Sequence, residues 1–349
     1  MGKLVLHREP TGESVEIDEP VTSHVEPGKI REELGLPEYI DVSNTVVAQA
    51  CVMLWHVMQS VAAGRKRESR EPDCIPLLFG GCAVKMLSVT SNKHAHSLNR
   101  KINDLDFVVQ HGRGGIALKL FKQTAVTAGN RFTCFETRSD ELFNSLHFGE
   151  RFRLHFLEAV HNGVVRTSRI DLISGKADFC HTVRFSDEDF SSPRASLYSV
   201  SPEKLALLKL QVISAHPSQS LEAVRAHSQS FRLLQWNPFS GKKVVLGMEL
   251  KDALDVLALF VDSHLEDARA PRFSAEKFAK IIGHDKKLAL TVRLNLKQIV
   301  GNNVFLESVG LSRSEIMLTE DTVEDVLKKL PAVDENWGKP WWNTDVESP

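Results

Sequence analysis

Two aspartates separated by one leucine open the segment NDLDFVV, residues 103–109, which otherwise has the apolar content of a buried strand. In an extended chain side chains alternate faces, so Asp104 and Asp106 point the same way as Val108, while Leu105, Phe107 and Val109 point the other way. Two like charges so placed repel, lose hydration, and tend to recruit a proton. A divalent cation between them removes both penalties. A solvated strand tip, or an Asx cap at the strand start, accounts for the same pattern without chemistry.

Two other features lie in chain order around this pair. The apolar run IPLLF (75–79) passes directly into Gly80-Gly81 and a helical pattern, CAVKMLSVT. A strand-to-helix turn without side chains lets backbone amides approach a polyphosphate at the positive end of the helix. Asp171 lies within a further strand pattern, RIDLIS (169–174). Two acids on one strand and a third on a neighbour could hold two cations about 3.5–4 Å apart, which aligns an attacking oxygen with a triphosphate.

The elements that must position these residues are read from periodicity and turn signals. The first 18 residues read as two short strands around Pro-Thr-Gly, followed by an irregular connector to residue 43. A helix is expected over 44–64, then a charged loop containing Arg65, Lys66, Arg67 and Arg70. GRGG (112–115) reads as a turn and helix start, lacking the lysine and spacing of a P-loop. RFRLHFLEAV and VVRTSRIDLIS flank His161-Asn162-Gly163, a hairpin signal. Beyond residue 200 the pattern is largely helical, at 202–215, 248–265, 274–283, 286–300 and 321–330, ending in a tail with three tryptophans. The expected division is 1–43, 44–200 and 201–349.

At 349 residues the chain has room for more than one compact unit. With Lys+Arg 43 against Asp+Glu 45, no global basic field advertises nucleic acid. Five scattered cysteines without CxxC spacing argue for reduced thiols and a cytoplasmic protein. Residues 46–63 are interrupted by Gln49, His56, Gln59 and Ser60, so they read as a buried helix, and no membrane partner is expected.

The text LLFGGCAVKML followed by RKINDLDFVV, with RIDLIS, resembles the signature of the DNA polymerase β-like nucleotidyltransferase superfamily. Between Gly81 and Asp104 lie residues 82–103, 22 positions and more than that signature usually spans. SPEKLALLKLQVISAH and KDALDVLALF resemble the motifs of its AbiEii/AbiGii toxin branch, with Lys209 as the motif lysine and Asp252 and Asp255 as the paired acids. The branch often carries an arginine seven residues after the lysine, where this chain has His216.

The resemblance covers roughly residues 75–260. It implies an α/β (α+β) fold with a small mixed sheet, followed by a C-terminal helical domain that closes the cleft. It also implies Mg2+, two ions with Mn2+ as a substitute, on Asp104, Asp106 and Asp171. An NTP is the implied substrate, contacted by Gly80, Gly81, Arg100, Lys101 and Lys209. RNA, notably tRNA ends, is the branch's acceptor, and a cognate antitoxin its partner.

Lys209 stands out from the residues alone. Ser201 as N-cap and Pro202 at the first position frame a helix on which Lys209 falls between Leu205, Val212 and Ile213, where an ammonium needs an anion. A nucleotide phosphate would serve, and a stem snorkelling to water is the alternative. Asp252 and Asp255 share a polar side with Lys251, which an exposed charged face also explains. His94 and His96 sit in a polar loop suited to phosphate or substrate contact. The overall expectation is transfer of a nucleoside monophosphate to a hydroxyl. The alternatives are a non-catalytic binding module or toxin–antitoxin partner, and the same chemistry on a small molecule or protein.

Overall fold

The computed structural model describes residues 3–8, 13–18, 32, 37–40, 46–54, 74–92, 98–127, 132–147, 149–160, 164–191, 199–212, 214–217, 233–236, 244–265 and 272–334. The chain divides into two compact units. The first comprises residues 1–86, 101–176 and 184–200, and the second 87–100, 177–183 and 201–349.

In the first unit, β1 (Lys3–Arg8) and β2 (Glu13–Asp18) form the expected antiparallel hairpin. A helix, α1, occupies residues 46–54. Then come β3 (Leu77–Phe79), α2 (Gly80–Leu87), β4 (Asp104–Val109), α3 (Gly114–Thr127), β5 (Phe132–Phe135), α4 (Arg138–Leu146), β6 (Arg151–Val160), β7 (Val164–Ser174) and α5 (Asp187–Ser191). β3 to β7 make one mixed sheet in the order β3-β4-β7-β6-β5, with β4 and β7 parallel and the other neighbours antiparallel.

Alternation divides this sheet into two faces. Leu105 and Phe107 of β4, Ile170 and Leu172 of β7, and Phe152, Leu154 and Phe156 of β6 are buried on one face. Helix α3 covers them, its Phe121 ring 5.1 Å from that of Phe107. Gly114, at the start of α3, is needed because a Cβ there would lie 2.2 Å from the Phe152 ring. Each large side chain so buried is worth about 1.5–3 kcal/mol, so a one-residue slip that turned β6 over is strongly disfavoured. The opposite face is apolar at Leu77, Val108 and Ile173 and polar toward the start of β4.

The second unit holds α6 (Pro202–Leu210), β8 (Ser214–Pro217), β9 (Leu233–Trp236), β10 (Val244–Glu249), α7 (Leu250–Asp262), α8 (Ala275–Ile282), α9 (Lys286–Val300), α10 (Asn303–Ser308) and α11 (Arg313–Lys329). β8, β9 and β10 form an antiparallel sheet in the order β8-β10-β9, which the sequence did not suggest. The helix expected over 202–215 ends at Leu210. The Asn295 side-chain amide donates to the oxygens of Leu210, the last helical residue, and of Val212 just beyond it, at 2.8 and 3.1 Å. The helix expected from 248 begins at 250, because residues 244–249 complete the central strand. The segment expected at 321–330 is the later part of α11, which starts at a capping box of Ser312 and Glu315.

None of the five cysteines is in a disulfide, and four are buried. No helix among the described residues is long and apolar enough to cross a membrane. Arg65, Lys66, Arg67, Arg70, His94, His96, His161, the tryptophan-bearing tail and the expected helix beyond residue 54 lie outside the described residues.

Candidate metal centre

The parallel register of β4 and β7 sets Asp106 directly opposite Asp171 and Asp104 opposite Arg169. Directly opposed residues share a face, so all three carboxylates gather at the polar end of the sheet. Oxygen atoms of Asp104, Asp106 and Asp171 lie within 4.8 Å of one another, and each residue is half-buried. Hard divalent cations bind carboxylate oxygens at about 2.0–2.6 Å, so one ion can bridge oxygens separated by up to roughly twice that distance. The donors are all oxygen, the set that suits a hard divalent cation rather than a thiolate- or imidazole-seeking metal.

Gly80 shows why the strand–glycine–helix turn accompanies these acids. Its φ is +68°, and a Cβ there would stand 2.0 Å from Oδ2 of Asp106. Only glycine meets both requirements. β3 pairs with β4 so that Phe79 faces Asp106, and the chain turns at once into α2 over that carboxylate. Gly81 is buried in the first turn of α2, where backbone N–H groups have no intrahelical partner. Lys101 is exposed shortly before β4.

Two arginines not anticipated from the sequence complete the centre. Arg169 donates from Nε to Oδ2 of Asp171 at 2.8 Å and lies 3.5 Å from Asp104 through Nη2. Arg153, opposite Asp171 on β6, donates from Nε to Oδ1 at 3.2 Å. Both oxygens of Asp171 therefore carry a guanidinium. The signal was present in the register: counting pairs along β6 and β7 from Val160 with Val164 places Arg153 against Asp171, and Arg169 shares a face with Asp171 two residues on. On the same face His155 is held 3.0 Å from Asp140. Burial acts to raise the Asp140 pKa, but the close contact with His155 and hydrogen bonds from Thr137 bring it down to about 2.

Lys209, Asp252, Asp255 and Arg100 are brought together in the second unit. The Lys209 ammonium donates to Asp252 Oδ1 at 2.7 Å and lies 3.2 Å from Asp255 Oδ2. Arg100 forks onto Asp255 at 2.8 and 2.7 Å. The anion that the helix position of Lys209 demanded is thus supplied by α7. Asp252 and Asp255 are both 4% exposed, so they do not form an exposed charged face, although Lys251 beside them is exposed. Burial acts to lower the Lys209 pKa, but the two carboxylates hold it above its ordinary value. Asp255 is held low despite its burial, by Arg100 first and Lys209 second. Glu203, Lys204 and Gln211, on or just after the same helix, are buried as well, Glu203 accepting from the Ser274 backbone at 3.0 Å.

No protein-family model matches the chain, and no curated protein sequence matches it.

Proposed function

We propose that this chain is a divalent-cation-dependent nucleotidyltransferase of the DNA polymerase β-like kind, related to the AbiEii/AbiGii toxin branch. The observation that carries the reading is the convergence of Asp104, Asp106 and Asp171 beside a turn where Gly80 alone can accommodate the Asp106 carboxylate. A binding-only fold has no need to gather three acids at a glycine so constrained.

In this reading a hydroxyl oxygen attacks the α-phosphorus of an NTP, the α–β anhydride bond breaks, pyrophosphate leaves, and the hydroxyl proton is lost. Bound Mg2+ or Mn2+ would neutralise the triphosphate and acidify the attacking hydroxyl. Asp104, Asp106 and Asp171 would hold those ions. The first turn of α2 offers backbone N–H groups to the phosphates, and Lys101 adds a charge near β4. Lys209, Asp252, Asp255 and Arg100 would serve as a buried framework of the second unit. RNA, including tRNA ends, is the acceptor class that the toxin-branch resemblance brings.

Incubation with each labelled NTP, Mg2+ and total RNA tests this. Metal-dependent label in RNA supports it, and label in protein or a small product would assign a different acceptor to the same chemistry. Asp106→Asn is expected to reduce labelling to background while the protein stays folded. No transfer with any NTP would favour the binding-module reading instead.

A further inference from the structure

We infer that Arg153 and Arg169 are the nucleotide's phosphate-binding pair, held on Asp171 until cations arrive. This rests on the nucleotidyl-transfer reading and adds to it the residues that take the triphosphate.

The charges at the centre explain the arrangement. Three carboxylates carry −3, two guanidinium groups +2, so the ion-free cluster is near neutrality with the arginines where metal-binding oxygens are needed. A divalent ion at Asp171 occupies the same oxygens and repels both guanidiniums. The anion then brought to the site is a triphosphate, and arginine's planar fork matches phosphate geometry.

Arg153 is built into place for that exchange. Buried Asn144 of α4 clamps its backbone on both sides, accepting from the Arg153 N–H at 2.6 Å and donating to its carbonyl at 2.9 Å. Its guanidinium carbon lies 3.8 Å from the centroid of the Phe143 ring. Only Nε contacts Asp171, and among the described residues no acceptor meets either Nη of Arg153. Arg169 also uses Nε on Asp171, and its Nη2 contact with Asp104, at 3.5 Å, is at the limit of a hydrogen bond. Both guanidiniums hold Asp171 through Nε alone, so the Nη atoms of Arg153 and the long Nη2 contact of Arg169 are the places where a second anion can bind.

The test is calorimetric titration of the full chain, first with MnCl2 alone and then, at saturating Mn2+, with a non-hydrolysable α,β-methylene NTP. Arg169→Ala and Arg153→Ala should each bind Mn2+ several-fold more tightly than wild type, because a competing cation is gone. They should bind the nucleotide roughly tenfold more weakly or worse, because a charge-assisted contact to phosphate is lost. A purely structural role would weaken or preserve both. Arg169→Lys, which keeps charge without the fork, should restore only part of the nucleotide affinity. Unchanged or weaker Mn2+ binding, or unchanged nucleotide affinity, in both alanine variants overturns the inference. The wild type against Asp106→Asn separates the two levels: if these bind Mn2+ alike, the nucleotidyl-transfer reading itself fails.

Discussion

At the scale of single residues, Gly80 ties the fold to the chemistry. Its positive φ alone costs any other residue about 1–3 kcal/mol, and a methyl group would collide with Asp106 Oδ2. Gly80→Ala should therefore destabilise the chain by at least about 1 kcal/mol in urea unfolding and also weaken Mn2+ binding, since Asp106 must move. Retained Mn2+ affinity would show that the carboxylate is not held by this contact. Asp104 and Asp106 were legible because period-two alternation alone puts them on one side of a strand. Arg153 and Arg169 went unread because their importance depends on which residue lies across the ladder, and charged strand residues ordinarily signify no more than a wet face. Counting pairs along the two strands from Val160 with Val164 would have found them.

At the scale of elements, helix α7 joins pieces of chain far apart in sequence. Asp255 receives Arg100, and two turns later Asp262 accepts from Thr90 through its backbone N–H at 3.1 Å and its hydroxyl at 2.5 Å. Asp252 and Asp255 together receive Lys209 of α6. Removing one partner from a buried ionic set leaves an uncompensated charge and costs about 3–5 kcal/mol. Lys209→Met should show a loss of that size in denaturant unfolding, and Lys209→Met combined with Asp252→Asn should lose less than the sum of the single changes. A loss under about 1 kcal/mol would mean the ammonium is not desolvated by this packing. A helical wheel could not foresee the network, since it ranks positions by polarity and is blind to charges arriving from elsewhere. The β6–β7 hairpin and α9 were legible from strong alternation, a turn signal and helical periodicity. The β8-β10-β9 sheet was not, because its strands are short and β10 runs into α7 without a breaking residue.

At the scale of the whole molecule, pH should reach stability through a buried histidine before it reaches the acids. His181 accepts from or donates to the Thr291 hydroxyl at 2.7 Å, and burial above all lowers its pKa to about 4. Asp285 acts to raise it and Lys287 to lower it further. A depressed folded-state pKa means the contribution is present above the unfolded value, near 6.5, and is lost as pH falls through 4. Asp140, held near 2, contributes in a separate window below about pH 4. Urea unfolding should thus lose about 2 kcal/mol between pH 6.5 and 5, and His181→Leu should flatten most of that slope. An equal slope in the variant would place the sensitivity elsewhere.

The composition, with net charge −2, offers no global attraction for nucleic acid, so any function on RNA has to come from the local centre. Anomalous diffraction from crystals soaked in Mn2+ addresses that centre most directly. One or two strong peaks about 2.2 Å from carboxylate oxygens of Asp104, Asp106 and Asp171 are expected. Saturating Mn2+ that leaves those oxygens without a peak, or places its peaks only at other residues, would contradict the proposal that they form a catalytic metal centre.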